Sequence, residues 1–226
     1  MSSADRLGEV HHLRDGTPVR LRMIGSADRA RLAAGFANLS AESRYRRFFT
    51  AMPRLSEGML DQLVATDGRD HVAIGAEVAS DDPAAAEGLG VARFMRLTEA
   101  PEVAEVAVAV IDAKQGLGLG QLLLGALVDA ARARGIHRFR ATLLSQNAAA
   151  RALVEELTDE FSVRREDGCL VYEIPLPERP GDDLHGGILY RLLKLAAGGL
   201  EFVFRVLGRR DEPEGGDPSG GRSSDR

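Results

Sequence analysis

VAEVAVAVIDAKQGLGLG, residues Val103–Gly120, decides the fold. Its first nine residues, Val103–Ile111, are β-prone and apolar except for Glu105, which predicts a strand. Asp112–Gly118 then reads as a loop. Leu119–Arg134 reads as a long helix whose apolar face holds Leu122, Leu123, Ala126, Leu127, Ala130 and Ala131. Gly135 stops that helix, and Arg132 and Arg134 suit its negative end.

A strand, a glycine-rich loop and a helix in that order make an anion site. Free backbone N–H groups converge at the helix start, where the dipole favours negative charge. Two common phosphate loops are excluded. No Gly-Lys-Ser/Thr follows, as a P-loop requires, and the dinucleotide fingerprint needs a glycine where Gln121 stands. Several expected strands and helices also precede the loop, whereas a dinucleotide fold opens with it.

Working outward, Thr17–Ile24 alternates apolar and polar residues as a half-buried strand. Ser26 is the expected N-cap of a helix over Ala27–Leu39. A short helix follows Ser40, and a third opens at Leu55-Ser56-Glu57 with Leu60, Leu63 and Val64 on it. His71–Val78 and Leu89–Leu97 read as strands joined by a polar turn. Beyond the central helix come a strand at Phe139–Leu144, a helix from Asn147 through Leu157, and a strand pair at Phe161–Val163 and Cys169–Ile174. Pro175, Pro177 and Pro180 end the domain. These readings divide the chain into an N-terminal extension (1–16), a domain (17–180), an apolar C-terminal helix (181–207) and a disordered tail (208–226).

Hydrophobic residues make up 44% of the 226 positions, enough for a packed core. The net charge of −5 argues against a protein that binds nucleic acid by neutralising phosphates, yet leaves room for a local basic groove. A single cysteine, Cys169, rules out an intrachain disulfide and a cysteine-built zinc site, and reads as a buried small residue. His11 and His12 lack a partner pattern, so no metal site is expected. The first residues have no apolar h-region, and no window has the run of about 18 apolar residues of a spanning helix. The expected location is cytoplasmic. Gly187–Leu207 carries Arg191, Lys194, Glu201 and Arg205 in one narrow stripe, with apolar residues around the rest. Such a helix packs on the domain, forms a homodimer contact or lies on a membrane surface.

Gln115, Gly118 and Gly120 match the Gln/Arg-x-x-Gly-x-Gly/Ala loop of the GNAT N-acetyltransferases, which this chain resembles over about Thr17 to Ile174. Ala104-Glu105-Val106-Ala107 resembles that family's glutamate-bearing fourth strand, and Leu144-Ser145-Gln146-Asn147 its next motif. The run Leu39–Phe48 (LSAESRYRRF) is similar to a segment of the Pat-type bacterial protein lysine acetyltransferases, as is Asp70-His71-Val72-Ala73. The resemblance implies an α/β (α+β) fold: a mixed, mostly antiparallel sheet with flanking helices, splayed between its fourth and fifth strands. It implies acetyl-CoA as acyl donor and an amine, a protein lysine in the Pat-type subgroup, as acceptor.

The resemblance places the coenzyme A pyrophosphate on the amides of Gln115, Gly116, Leu117, Gly118, Leu119, Gly120 and Gln121, and the cofactor arm beside Asn147. It puts an oxyanion-binding N–H around Val106–Val108 and pantetheine pairing on the backbones of Val108 and Val110. An alkyl ammonium has a pKa of about 10.4 and attacks only after losing a proton. Glu105 is the expected acceptor of that proton, its alternative reading being a solvated residue on an edge-like strand. Arg44, Tyr45 and His71 are candidate acceptor-binding residues, with core packing or structural support as their other readings. One departure from the family concerns the leaving thiolate: Val154 stands where many members carry a tyrosine acid. A non-catalytic module that binds acyl-CoA, or that uses the fold for protein contacts, is the rival class.

Overall fold

The computed structural model describes residues 7–41, 53–82, 86–144, 162–166 and 169–176. Eight strands form one sheet in the order β1-β2-β3-β4-β5-β6-β8-β7. They are β1 (Val10–His12), β2 (Pro18–Met23), β3 (His71–Val78), β4 (Gly88–Arg96), β5 (Val103–Val110), β6 (Arg138–Leu144), β7 (Ser162–Glu166) and β8 (Cys169–Pro175). Every adjacent pair is antiparallel except β5 and β6. The described helices are α1 (Arg29–Ala37), α2 (Glu57–Val64) and α3 (Leu119–Arg132). This is the mixed, mostly antiparallel architecture that the sequence predicts; the expected helices after Ser40, Asn147 and Gly187 lie outside the described residues.

Two details differ from the expected elements. The alternation in 17–24 does not disclose β1, which pairs with β2 from Val10↔Arg20 to His12↔Pro18. Ser26 does not cap α1: Ser26–Asp28 forms a 3-10 turn, and the Asp28 carboxylate accepts the Gly25 N–H at 3.0 Å. Ser56 does act as an N-cap, its hydroxyl accepting from the Met59 N–H of α2 at 3.3 Å.

The sheet buries both faces differently. On one side Ala104, Val106, Val108 and Val110 of β5 pack with Leu119, Leu123 and Leu127 of α3 in the main core. Those three leucines are fully enclosed and each contributes about 1.5–3 kcal/mol by burial. On the other side α1 and α2 build a smaller cluster from Phe36, Leu39, Leu55, Leu60 and Leu63. Gly135 closes α3 as expected, with the Ile136 N–H returning to the Ala131 carbonyl at 3.0 Å.

Candidate active site

The near-continuous apolar run of β5 is explained by its position, buried by α3 on one face and in the middle of the sheet. With β4 it keeps an unbroken register from Gly90↔Val110 to Arg96↔Ala104. With β6 it pairs only at Val103↔Arg138, Ala104↔Phe139 and Glu105↔Arg140. Beyond Arg140, β6 continues against β8 as far as Leu144↔Cys169. The sheet therefore splays after Glu105, at the junction expected from the sequence.

The free side of β5 can be assigned atom by atom. The Ile111 N–H bonds the Leu89 carbonyl and the Val103 carbonyl accepts from Leu97, each at 3.0 Å and toward the β4 side. Alternate residues of an antiparallel ladder turn both backbone groups to the same neighbour. The odd-numbered residues thus serve β4. Val106, Val108 and Val110 direct their N–H and C=O groups toward the splay, while their side chains are core. Core side chains and gap-facing backbone groups thus coexist at these three positions.

The loop sits at the open end of that splay. Residues Asp112–Lys114 make one 3-10 turn, and α3 starts at Leu119. Gly116 has φ 74° and Gly118 φ 96°, backbone conformations that a Cβ strains, so the chain turns sharply into the helix there. A Cβ on Gly118 would meet nothing within 4 Å. The glycine is needed for its backbone, and the space beside it is open to a ligand. Leu119 and Gly120 are buried in the first turn, and Gln121 is half-buried beside them. Gln115 turns inward: its Nε2 donates to the Val110 carbonyl at 3.2 Å and to Asp112 Oδ1 at 3.3 Å. It ties the loop to the end of β5.

A second support comes from the turn between β1 and β2. The Arg14 N–H donates to the Leu117 carbonyl at 3.1 Å and its guanidinium to the Gly116 carbonyl at 3.3 Å. Lys114 Nζ donates to Asp15 Oδ2 and Thr17 Oγ1, both at 2.8 Å. That lysine contact holds the Asp15 carboxyl down at about 2. Two carbonyls are bound from behind, which steadies the loop's opposite face. Only structure reveals this brace, because residues 13–17 and 114–117 are about a hundred positions apart in sequence.

The other face of the sheet carries the polar groups. Glu105 is 7% exposed, on the same face as its register partners Met95 and Arg140. This is a buried carboxylate, not the solvated one of its alternative reading. Arg140 is engaged by Glu173 at 2.7 Å. His71 lies in the same cross-strand row, paired with Met95 on β3. Its Nδ1 is 2.9 Å from the Ala65 carbonyl at the end of α2. A carbonyl only accepts, so Nδ1 carries the proton and Nε2 keeps a lone pair. Burial first, and the nearby Arg93 charge second, hold the His71 pKa below its ordinary value and keep the ring neutral. Arg93 itself is 2% exposed and donates to the Leu63 carbonyl at 3.0 Å.

Beside this row, α1 and the sheet enclose a cleft of about 830 Å³, including its mouth, lined by Leu32, Phe36, Leu39, Val91 and Ile111. Arg22 at its edge makes a two-pronged contact with Asp28 (2.6 and 2.9 Å) and reaches Glu77 at 2.8 Å. Arg44, Tyr45 and Asn147, and the Val154 position, lie outside the described residues. Tyr172, the one tyrosine among the described residues, is wholly buried in the core, and burial pushes its phenol up to about 12, which makes it a poor substitute acid. Among the described residues no group of histidine, cysteine and carboxylate side chains is arranged to hold a metal ion.

Comparisons with known proteins agree with this geometry. The acetyltransferase (GNAT) family model matches residues 37–158. The chain is 32% identical over 165 residues to Acetyltransferase Pat of Mycolicibacterium smegmatis, covering 73% of this chain and 48% of that protein, so it spans about half of that relative's length. It is 32% identical over 144 residues to Acetyltransferase PA5475 of Pseudomonas aeruginosa, covering 64% of this chain and 76% of that one. Among solved structures, the GNAT domain of S. lividans PAT superposes with a TM-score of 0.63 at 32% identity, covering 74% of this chain and 96% of that chain. The fold is shared with yncA of Salmonella typhimurium, solved with its cofactor acetyl-CoA, at 24% identity and a TM-score of 0.51, covering 73% of this chain and 98% of that chain. The chain belongs to the acetyltransferase (GNAT) family.

Proposed function

We propose that this protein transfers an acetyl group from acetyl-CoA to an amine, and that the amine is a protein lysine. One observation carries the first half: the sheet parts immediately after Glu105, so one gap, lined by outward backbone groups, runs from a buried carboxylate at its vertex to a helix-start anion loop at its open end. The likeness to the Pat proteins supports the second half.

In this reading the amides from Gln115 to Gln121 take the donor's pyrophosphate at the start of α3, and the outward groups of Val108 and Val110 pair with its amide arm. Glu105 accepts the acceptor ammonium's proton, directly or through water, which frees the nitrogen lone pair to form the new C–N bond. The Val106 N–H stabilises the negative charge that develops on the thioester oxygen. The C–S bond breaks with its electron pair on sulfur. A thiol of pKa about 8.5 is a fair leaving group, which lessens the need for a dedicated acid at the Val154 position. The half-buried cleft under α1 offers apolar contact to the residues flanking an acceptor lysine. The proposed domain, 17–180 together with β1 of the N-terminal segment, works in the cytoplasm.

The test is steady-state release of coenzyme A thiol with a panel of lysine peptides and folded proteins. Acetyl-CoA-dependent acetylation of a lysine side chain, seen by mass, supports the reading. Tight acetyl-CoA binding with no turnover on any amine would replace it with the non-catalytic module.

A further inference from the structure

We propose that His71 is the second station for the acceptor's proton, receiving it from Glu105 through water at Nε2 and passing it to solvent. This inference rests on the acyl-transfer reading above.

His71, Met95 and Glu105 stand side by side on β3, β4 and β5, joined by two register pairs on one face of the sheet. Two strand spacings separate the outer pair by about 10 Å between backbones. Both outer groups are 7% exposed, while Met95 between them is only half-buried. The row is thus closed at its ends, and its centre, at Met95, is the part that reaches solvent.

The chemistry of each ring nitrogen is fixed. Nδ1–H is committed to the Ala65 carbonyl. Nε2 is buried and finds no hydrogen-bond partner among the described residues. A buried acceptor left unmatched costs about 1–3 kcal/mol. A group needed only to tie α2 to β3 has no use for that second nitrogen. A relay does.

The charged neighbours are consistent with a transient stop. Asp67 accepts the His71 backbone N–H through Oδ1 at 2.9 Å and favours an imidazolium. Arg93, from β4, opposes it. Asp70 and Arg96 are engaged with each other at 2.6 Å, and Arg134 of the α3 end donates to the Gly68 carbonyl. The ring therefore rests neutral, ready to accept. In the full balance the ammonium loses one proton along Glu105, water and Nε2 to solvent. The C–N bond forms, the C–S bond breaks, and the amide nitrogen's second proton ends on the coenzyme A thiol.

His71→Asn separates the two roles, because the asparagine amide can still donate to Ala65 from the Nδ1 position but places nothing at Nε2. The expected result is a tenfold or greater fall in kcat, an acetyl-CoA Kd within twofold of the parent, and loss of the acidic limb that His71 gives the pH profile of kcat. Parent-like kcat with an unchanged pH profile would overturn the proposal. The second measurement needs no variant at position 71: ¹⁵N-histidine NMR of the parent with acetyl-CoA, compared with Glu105→Gln. A changed His71 Nε2 resonance supports the relay, and an unmoved one overturns it. If Glu105→Gln retains full turnover, Glu105 is not the base and the relay falls with it; if the parent binds acetyl-CoA but turns over no amine, the acyl-transfer reading itself fails. If Glu105→Gln abolishes turnover while His71→Asn does not, only the relay fails.

Discussion

Glu105 and Arg140 are the last register pair between β5 and β6, and the sheet opens at the next residue. The base candidate thus stands at the vertex of the splay. The Val106 N–H, one residue on, is the first backbone donor directed into the gap. Glu105→Gln preserves shape and removes the proton acceptor. It is expected to lower kcat by about 10²-fold or more while acetyl-CoA affinity changes less than threefold. Thiol-release kinetics together with calorimetry check both halves. Equal loss of binding and turnover would mean a structural role.

The loop makes a sharper demand on backbone than on space. Gly118 has φ 96° with no atom in the path of a Cβ. Gly118→Ala therefore acts through backbone strain of about 1–2 kcal/mol, a factor of about 5–30. That strain is relieved if the loop relaxes from its binding shape, so the acetyl-CoA Kd should rise by a similar factor. Calorimetry reads it, and an unchanged Kd would mean that the loop's conformation is not what binds.

Much of this was legible in sequence. Glu105 stands out as the one charge in Val103–Ile111, and the glycine loop and α3 follow at once. The strands on either side, Leu89–Leu97 and Phe139–Leu144, are also read as strands from the sequence. The brace from Arg14 and Asp15 was not legible, nor was the row His71–Met95–Glu105, because register between strands is a long-range property that no local pattern encodes. The start of α1 was misread for a related reason. Ser26 has good capping chemistry, but the Arg22 guanidinium on β2 recruits Asp28, which takes the Gly25 N–H instead.

That same ion cluster sets acid stability. Burial works against the Asp28 carboxylate, but the Arg22 hydrogen bonds, the Gly25 N–H and Arg31 outweigh it, and the pKa lies below its ordinary 3.8. A lowered folded value means that the unfolded chain binds the proton first. The stabilisation is complete above about pH 4 and is lost as pH falls through the folded value. Arg22→Met leaves Asp28 and Glu77 short of a partner. It should cost about 2 kcal/mol in urea unfolding at pH 7, less than a fully buried pair because Arg22 is partly exposed. A cost below about 0.5 kcal/mol would mean that Arg31 alone suffices.

His71 adds a second, higher window. Its folded pKa is depressed, so the unfolded chain takes up the proton first as pH drops below the ordinary 6.5. Melting temperature should hold steady above that value and decline below it. His71→Asn should flatten the decline without lowering the plateau. A parent-like decline in the variant would assign it to other groups.

The most direct measurement is titration of the purified protein with acetyl-CoA by calorimetry, beside a Gly118→Glu variant that puts a carboxylate where the pyrophosphate is expected. The account predicts micromolar binding by the parent and none by the variant, with both folded by circular dichroism. A folded parent that binds no acetyl-CoA would contradict it.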